Sequence, residues 1–339
     1  MTAKRANNLT LLVAFFVVLL IMTVAMPDRF LRVGNLQNMM RNLPEYALLA
    51  FGIMIAMTIG GIDLSGVSVL SLSGVVAAMI LSRHAEIGLP TGVVIVLAMV
   101  AAIATAALCG LVNGLIISMA GVPAIIATLG TNGLFYGIAM GLTQGSHLGG
   151  FPVQYIRIAN GDILGIPIPF LVFIAIALLL GLLLDRTSLG FQMKMLGASP
   201  VAARFSGMNN RIIMLKAFVI ISMLAGVSAI LLTSKVATMR PNYGQDYLLL
   251  AVLLSILGGT NPDGGFSSVV GVVLAILALQ VLATGSTFLG FTPFFRNFLY
   301  GLMLLVVMIV HYYRDTGTLR GIPAAVTAHL RGSSGRSGG

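Results

Sequence analysis

The chain has 339 residues, of which 58% are hydrophobic and only 8% are charged, and its formal net charge is +10. Because soluble domains carry about 25% charged residues, this composition excludes a soluble globular protein. The excess of Lys and Arg indicates basic cytoplasmic loops rather than a nucleic-acid-binding surface, since no soluble face clusters the cations.

Apolar runs long enough to cross a bilayer recur along the whole chain and predict an all-α, polytopic integral membrane protein. About ten transmembrane helices are expected in a single domain that covers residues 1–315. Their predicted ranges are 8–26, 44–61, 64–82, 91–119, 122–143, 165–184, 212–234, 247–262, 267–289 and 293–313.

The predicted orientation follows from the number of spans and from the basic loops. An even number of spans places both termini on the same side of the membrane. Basic side chains in the segment 185–211 and in the C-terminal tail place that side in the cytoplasm. Residues 316–339, which end in GSSGRSGG, are expected to form a disordered cytoplasmic tail.

Residues 57–68, MTIGGIDLSGVS, place a carboxylate between two apolar runs. Gly60 and Gly61 break the second predicted span from the third, either as a tight turn or as irregular backbone that lines a cavity. Asp63 is expected to cap the third helix by accepting a hydrogen bond from the backbone N–H of Ser65 or Gly66. A role as a polar anchor beside a translocation path is compatible with capping.

A polar stripe lies on the fifth predicted span. Thr128, Asn132 and Tyr136 share one helix face at i, i+4 and i+8, and the cost of exposing polar groups to lipid predicts that this face points inward. Two interpretations stay open, namely hydrogen bonds between helices and a weakly polar lining for a neutral solute.

The loop 196–211, LGASPVAARFSGMNNR, predicts a short capped helix outside the membrane. Ser199 suits the N-cap, Pro200 the first helical position and Gly207 a left-handed C-terminal cap. Val201, Phe205 and Met208 would form an apolar stripe that rests on the protein's own membrane domain or inserts into a groove on a cytoplasmic partner.

Two further features are weaker. The stretch GGTNPDGG at 258–265 resembles GGIDLSG, so the two mark either an internal repeat or a coincidence in a glycine-rich chain. Asp246 precedes the eighth span, where a charge at a helix N-terminus is the simplest explanation. Four arginines are expected on the outer side of the membrane, namely Arg29, Arg41, Arg157 and Arg240. They lie either at the level of the lipid headgroups or in contact with a binding protein.

The chain lacks the motifs of an enzyme, so neither catalytic residues nor cofactors are expected. The four histidines are scattered without metal-ligand spacing, which predicts no metal site, and the single Cys109 excludes a disulfide framework. No G-x-x-x-x-G-K-[ST] phosphate loop is present, so ATP hydrolysis would require a partner. Glu45 and Asp63 fall at span edges, and the scarcity of ionisable residues inside the spans argues against proton-coupled transport.

Several stretches in register make the chain resemble the permease subunits of ribose-type (simple-sugar) ATP-binding-cassette importers. The similarity covers roughly residues 8–315, and one departure is that family members usually read GGIDLSVGS where this chain reads GGIDLSGVS, which displaces a glycine to Gly66. The matching stretches are NLQNMMRN (35–42), GGIDLS (60–65), VPAIIATLGTNGLFYG (122–137), ILGIPIP (163–169), RTSLGFQMKMLGASPVAARFSGMN (186–209) and LGGTNPDGG (257–265).

The resemblance implies a bacterial inner-membrane permease that imports a small neutral sugar or sugar derivative, either a pentose or a sugar-derived autoinducer. The implied partners are a cytoplasmic ATPase, a periplasmic sugar-binding protein and a second permease copy or sister permease. A nucleoside or polyol permease of the same class, or less favourably a stand-alone secondary transporter, stays open as an alternative.

The resemblance also assigns residues 197–207 as the coupling helix that docks on the ATPase. The residues expected to serve this coupling are Gly197, Ala198, Ser199, Pro200, Ala202, Ala203, Arg204, Phe205 and Gly207. The residues expected along the translocation path are Gly60, Gly61, Asp63, Ser65, Thr128, Asn132 and Tyr136.

Overall fold

The computed structural model of the protein describes residues 3–25 and 30–315, and most of this part is helical. The predicted tail, 316–339, and Arg29 lie outside the described residues. The elements in chain order are α1 (Ala3–Ala25), α2 (Val33–Thr58), α3 (Gly66–Ser82), α4 (Thr91–Met119), α5 (Ala124–Thr143), α6 (Val153–Asn160), β1 (Asp162–Ile163), β2 (Ile166–Pro167), α7 (Ile168–Arg186), α8 (Ser188–Ala198), α9 (Pro200–Phe205), α10 (Asn210–Val236), α11 (Tyr247–Leu257), α12 (Val269–Phe288) and α13 (Pro293–Asp315). β1 and β2 form an antiparallel hairpin.

The described helices confirm a polytopic membrane protein. Five of them are long and apolar enough to cross a bilayer, and these are α4, α5, α7, α10 and α12. Shorter apolar helical stretches occur at Leu11–Val24, Gly66–Ser82, Tyr247–Leu257 and Phe294–Val306. Each of the ten predicted segments overlaps a helix, while the number of membrane crossings and the side of the termini stay predictions.

Helices α2 and α10 form the centre of the bundle. Every residue of α2 from Leu43 to Thr58 is buried. Helix α10 packs closely on α4 because glycines remove the side chains between them: a Cβ at Gly110 would lie 2.5 Å from the backbone oxygen of Phe218. A Cβ at Gly226 would lie 2.7 Å from the Ala106 Cβ. Small residues thus bring the two backbones together, as is common between membrane helices.

The bundle has two ends that differ in composition. At one end, the C-terminus of α2 meets the C-terminus of α8 and the loop 258–268, next to α9; this is called the junction end. At the other, the N-terminal half of α2 meets the β-hairpin through an Arg41–Asp162 ion pair of 2.9 Å. The latter is called the hairpin end.

Most helix boundaries differ from those predicted by a few residues, and three of them bear on the site. Helix α2 begins at Val33 and continues through Pro44, whereas the sequence predicts a start at 44, because residues 33–43 are too polar to read as a span. Helix α11 ends at Leu257 rather than 262, because Gly259 takes a left-handed conformation with φ +82°. Helix α3 begins at Gly66, two residues later than predicted.

Candidate functional site

The turn between α2 and α3 reverses the chain over a few residues. Gly60 has φ +82° and donates its N–H to the Met57 oxygen at 2.9 Å, while Gly61 N–H donates to the Ala56 oxygen at 3.0 Å. These two bonds satisfy the terminal carbonyls of α2 in the way a left-handed glycine cap does. A Cβ at Gly61 would also lie 2.8 Å from the Ala124 Cβ, so the turn packs directly on the start of α5.

Asp63 organises the exit from this turn. It is 1% exposed, and its Oδ1 accepts hydrogen bonds from the Ser65 N–H at 2.8 Å and the Ser65 hydroxyl at 2.6 Å. The predicted bond from Ser65 is therefore present, but Asp63 is not the N-cap: Ser65 occupies that position and makes no side-chain cap bond. Within the described residues, Asp63 Oδ2 is buried and has no hydrogen-bond partner.

A chain of hydrogen bonds continues from Ser65 into the neighbouring helices. The Asn113 amide of α4 donates to the Ser65 hydroxyl at 2.8 Å, and the Thr131 hydroxyl of α5 donates to the Asn113 oxygen at 2.6 Å. This polar network, defined as Asp63, Ser65, Asn113 and Thr131, joins the turn, α4 and α5. Asn113 was not predicted as a site residue, although it is the single amide in the apolar run 91–119.

Two of the three stripe residues on α5 form hydrogen bonds between elements. The Thr128 hydroxyl accepts from the Leu64 N–H at 3.1 Å, and the Ser68 hydroxyl of α3 donates to the Asn132 oxygen. Tyr136 is half-buried, and its hydroxyl makes no hydrogen bond to the part of the chain that the structure describes. The stripe therefore fastens α5 to the turn before α3 through Thr128, and to α3 itself through Asn132.

Backbones from three distant segments meet at the junction end. A Cβ at Gly197 would lie 2.0 Å from the Thr58 oxygen, and Gly265 N–H donates to that same oxygen at 3.0 Å. A Cβ at Gly264 would lie 2.6 Å from the Gly197 oxygen and 2.9 Å from the Gly60 Cα. This glycine junction, defined as Gly60, Gly197, Gly264 and Gly265, places both glycine-pair motifs against the end of α8.

The predicted caps of α9 are present. The Ser199 hydroxyl accepts from the Ala202 N–H at 3.2 Å, Pro200 is the first helical residue, and Gly207 has φ +78°. Val201 is 65% exposed and Phe205 is 89% exposed. These two members of the apolar stripe thus do not rest on the protein's own bundle.

The remaining predicted coupling residues lie around α9. Ala203 is fully buried and anchors the helix to the bundle, whereas Ala198, Ala202 and Arg204 are exposed. Met208 is half-buried against the core. Helix α9 therefore presents one apolar edge outward and holds to the bundle by the other.

A cavity of about 640 Å³ opens at the junction end beside the turn. Gly60 and Gly61 line it together with the loop 121–125, Arg211 and Asp263. Both interpretations of the glycine pair are therefore satisfied, because the same residues form a tight turn and line a cavity.

The hairpin end contains a buried ion pair that was not predicted. Glu45 is 1% exposed; Lys235 lies 2.9 Å from its Oε1, and the Tyr247 hydroxyl donates to its Oε2 at 2.8 Å. The sequence places Glu45 at the start of a span; in the structure it lies within α2, which begins at Val33, and its depth in the membrane stays a prediction. The signal that could have found it is a carboxylate directly before a long apolar run.

Two other charged residues were singled out at this end. Arg41 donates to both Asp162 carboxylate oxygens at 2.9 Å, so its guanidinium holds the β-hairpin against α2. Asp246 immediately precedes α11 but makes no side-chain cap bond. Among the described residues, no group of three or more His, Cys, Asp and Glu side chains is arranged to hold a metal.

Comparisons with known proteins identify related sequences. A family model described as "Branched-chain amino acid transport system / permease component" matches residues 35–308. The chain is 30% identical over 298 residues to the "Ribose import permease protein RbsC" of Bacillus subtilis (strain 168), covering 87% of this chain and 89% of that protein.

Two further relatives extend the comparison. The Haemophilus influenzae "Ribose import permease protein RbsC" is 30% identical over 311 residues, covering 91% of this chain and 94% of that protein. The "Autoinducer 2 import system permease protein LsrD" of Yersinia enterocolitica is 30% identical over 268 residues, covering 77% of this chain and 78% of that protein. No solved structure matches the chain. The chain thus belongs to this family of transport-system permease components, which confirms the resemblance to ribose-type import permeases, and it is not itself an enzyme.

Proposed function

We propose that the protein is the membrane-spanning subunit of an ATP-driven bacterial importer that carries a small neutral sugar or sugar derivative from periplasm to cytoplasm. The relatives that cover most of the chain are named for ribose and autoinducer 2, which favours this solute class. The family description names branched-chain amino acids, so an amino acid is the second candidate. A nucleoside or a polyol would use the same machinery.

The proposed topology has ten crossings, with both termini and the junction end in the cytoplasm. Ten helices overlap the predicted spans. The segment 185–211 carries Arg186, Lys194, Arg204 and Arg211, and such basic segments stay on the cytoplasmic side of an inner membrane. The hairpin end then faces the periplasm and a sugar-binding protein.

In this proposal α9 is the element that docks on a cytoplasmic ATPase. A free helix of six residues would be marginal in water, but its caps and the buried Ala203 hold it in place. The phenyl ring of Phe205 is 89% exposed. Its transfer from water into an apolar groove on a partner would therefore contribute favourably to the free energy of binding. Arg204 and Arg211 line a cleft beside it and suit an acidic rim around such a groove.

Motion of α9 would pass into the bundle through the glycine junction. Ser199, the N-cap of α9, directly follows the last residue of α8. Gly197, two residues before Ser199, lies against the backbones of Thr58 and Gly265. Side chains absorb displacement by changing rotamer, whereas contacting backbones do not. A shift of α9 therefore displaces the turn and, with it, the polar network around Asp63.

The proposed translocation path runs beside that turn and α5. Gly60 and Gly61 line the cavity at the junction end, Asp63 and Ser65 hold the turn, and the stripe of Thr128, Asn132 and Tyr136 continues along α5. A second permease copy or a sister permease would complete the path on the open side of α5, where no described atom would approach a Cβ added at Gly130 or Gly133 within 4 Å.

The exposed ring of Phe205 on a capped helix is the observation that carries the coupling proposal. The test is co-purification of the membrane-expressed protein with the ATP-binding-cassette ATPases of its source genome. Phe205→Asp should lower recovery of the cognate ATPase at least about tenfold, since the loss of a buried aromatic anchor costs 2 kcal/mol or more. Phe294→Asp, 84% exposed on α13, is the matched control and should retain the ATPase. Equal recovery with both variants would refute docking through α9.

A further inference from the structure

A second cavity, of about 490 Å³, lies at the hairpin end between α2, α11, α12 and α13. It is called the outer polar cavity. Most of the side chains that line it carry an amide, a hydroxyl or a charge, and they include Asn38, Asn42, Tyr46, Tyr247, Gln280 and Asn297. None of these residues belongs to the predicted path or to the polar network around Asp63.

The floor of the outer polar cavity is built from buried, mutually bonded groups. The Tyr46 hydroxyl donates to the Gln280 side-chain oxygen at 2.5 Å, and the Tyr247 hydroxyl donates to the buried Glu45 carboxylate at 2.8 Å. The two phenol rings meet edge to face at 6.1 Å. Because these polar groups are already hydrogen-bonded to one another, the floor is ordered before a ligand binds, which lowers the entropic cost of binding.

The walls, in contrast, offer free hydrogen-bonding groups. Asn38, Asn42 and Asn297 line the cavity and are exposed, and within the described residues their side chains make no hydrogen bond to another group. Each amide provides two donors and two acceptor lone pairs. Adjacent hydroxyl groups on a solute also both donate and accept hydrogen bonds, so side-chain amides can bond to them in both directions.

The charges around the cavity balance, which favours an uncharged ligand. Lys235 is paired with Glu45 at 2.9 Å, so the net charge of the floor is zero. Arg296 and Asp246 line the wall with opposite charges. The Arg296 guanidinium already donates to the Thr287 hydroxyl at 2.9 Å, which leaves it less free to take a carboxylate.

From this geometry we infer that the outer polar cavity is a binding site for a neutral, polyhydroxylated solute of monosaccharide size. Its volume falls within the roughly 300–1,000 Å³ of small-molecule sites, ample for a pentose. The inference rests on the proposed function for the choice of sugars over other neutral polar solutes. It adds a solute site at the periplasmic end, remote from the coupling end.

The absence of tryptophan from the chain allows a clean optical test. Phe288→Trp places a single indole in the wall of the cavity, whereas Phe298→Trp on α13, 62% exposed and outside the lining, is the control. Each full-length variant, purified in lipid nanodiscs, is titrated with D-ribose, D-arabitol and L-leucine. Matching thermal unfolding temperatures of both variants and the parent verify that the substitutions are tolerated.

The expected result is a saturable change in Phe288→Trp emission with ribose or arabitol, half-maximal at about 1–10 mM because the site is open to water. Phe298→Trp and leucine should give none. Adding Asn42→Leu to Phe288→Trp should raise the half-saturating concentration about tenfold, because the solute loses one or two hydrogen bonds to the Asn42 amide. Saturation by leucine alone, no saturation by ribose or arabitol, or an unchanged Asn42→Leu titration would overturn the inference. Those failures leave ATPase co-purification untouched, so the proposed function is tested separately.

Discussion

The two ends of α2 meet the rest of the bundle in opposite ways. At the junction end, the backbone of Thr58 contacts the backbones of Gly197 and Gly265. A Cβ added to Gly197 would lie only 2.0 Å from the Thr58 oxygen. At the hairpin end, the same helix contributes Asn38, Asn42 and Tyr46 to the lining of a cavity of about 490 Å³. Close backbone packing transmits displacement, whereas an open polar space accommodates a solute. One helix therefore has an end suited to each task.

The largest effect is expected from filling the glycine junction. Gly197→Ala would force a Cβ against the Thr58 oxygen, and no rotamer change relieves a clash between backbones, so we expect a loss of about 3 kcal/mol or more in the free energy of unfolding. Thermal unfolding can be followed with a thiol-reactive dye, because Cys109 is buried in the folded protein.

Gly181→Ala on α7 is the matched control, because no described atom lies within 4 Å of its added Cβ. It should be neutral or mildly stabilising, since Ala favours a helix by up to about 1 kcal/mol over Gly. If both alanine variants unfolded at the parent's temperature, the junction would not be the rigid contact that the comparison requires.

The second effect concerns the hairpin end. Glu45→Leu leaves Lys235 and the Tyr247 hydroxyl without their acceptor. The free energy of unfolding should fall by about 2 kcal/mol. This is less than the 3–5 kcal/mol lost when a fully buried pair is broken, because the Lys235 side chain is 26% exposed.

The double variant Glu45→Gln with Lys235→Met removes both charges while keeping an acceptor for Tyr247. It should recover at least half of the lost stability in the same unfolding assay. A double variant no more stable than Glu45→Leu would show that the ion pair does not neutralise the cavity floor.

A smaller effect is expected at the turn between α2 and α3. Asp63→Ala removes the acceptor of both Ser65 bonds and should lower the free energy of unfolding by about 1 kcal/mol, as the loss of a cap does. Asp63→Asn keeps an oxygen at the Oδ1 position and should stay within about 0.5 kcal/mol of the parent. Identical unfolding temperatures for the two variants would show that the bonds from Ser65 to Asp63 Oδ1 do not stabilise the turn.

The smallest effect is expected where this chain departs from the usual family pattern. A Cβ at Gly66 would meet its nearest neighbours, Leu49 Cδ2 and Asp63 Oδ2, at 3.7 and 3.9 Å, which is ordinary contact. Gly66→Ala should therefore change stability by no more than about 0.5 kcal/mol. A loss comparable to that of Gly197→Ala would mean that the displaced glycine is a packing requirement.

Local signals in the sequence account for the parts that were predicted correctly. Apolar runs located the helices, and Ser199, Pro200 and Gly207 located α9, because capping depends on neighbours within one or two turns. The Ser65–Asp63 bond is local in the same sense. Such features need no knowledge of how distant segments pack.

Features that join distant segments could not be predicted in this way. The glycine junction combines residues from the ends of α2 and α8 with the loop before α12, and no local pattern selects which backbones meet. Lys235 pairs with Glu45 from the far end of α10. The polar start of α2 was missed because its asparagines line the outer polar cavity, so they break the apolar periodicity that marks a membrane helix.

Whether α9 couples an ATPase to transport can be measured as ATP-dependent uptake of radiolabelled D-ribose, in proteoliposomes that contain the permease, its cognate ATPase and its binding protein. We expect the parent and Phe294→Asp to import ribose at similar rates. Phe205→Asp, unfolding at the parent's temperature, should import it at least about tenfold more slowly. Import by Phe205→Asp at the parent's rate would contradict the claim that α9 drives the bundle from its cytoplasmic end.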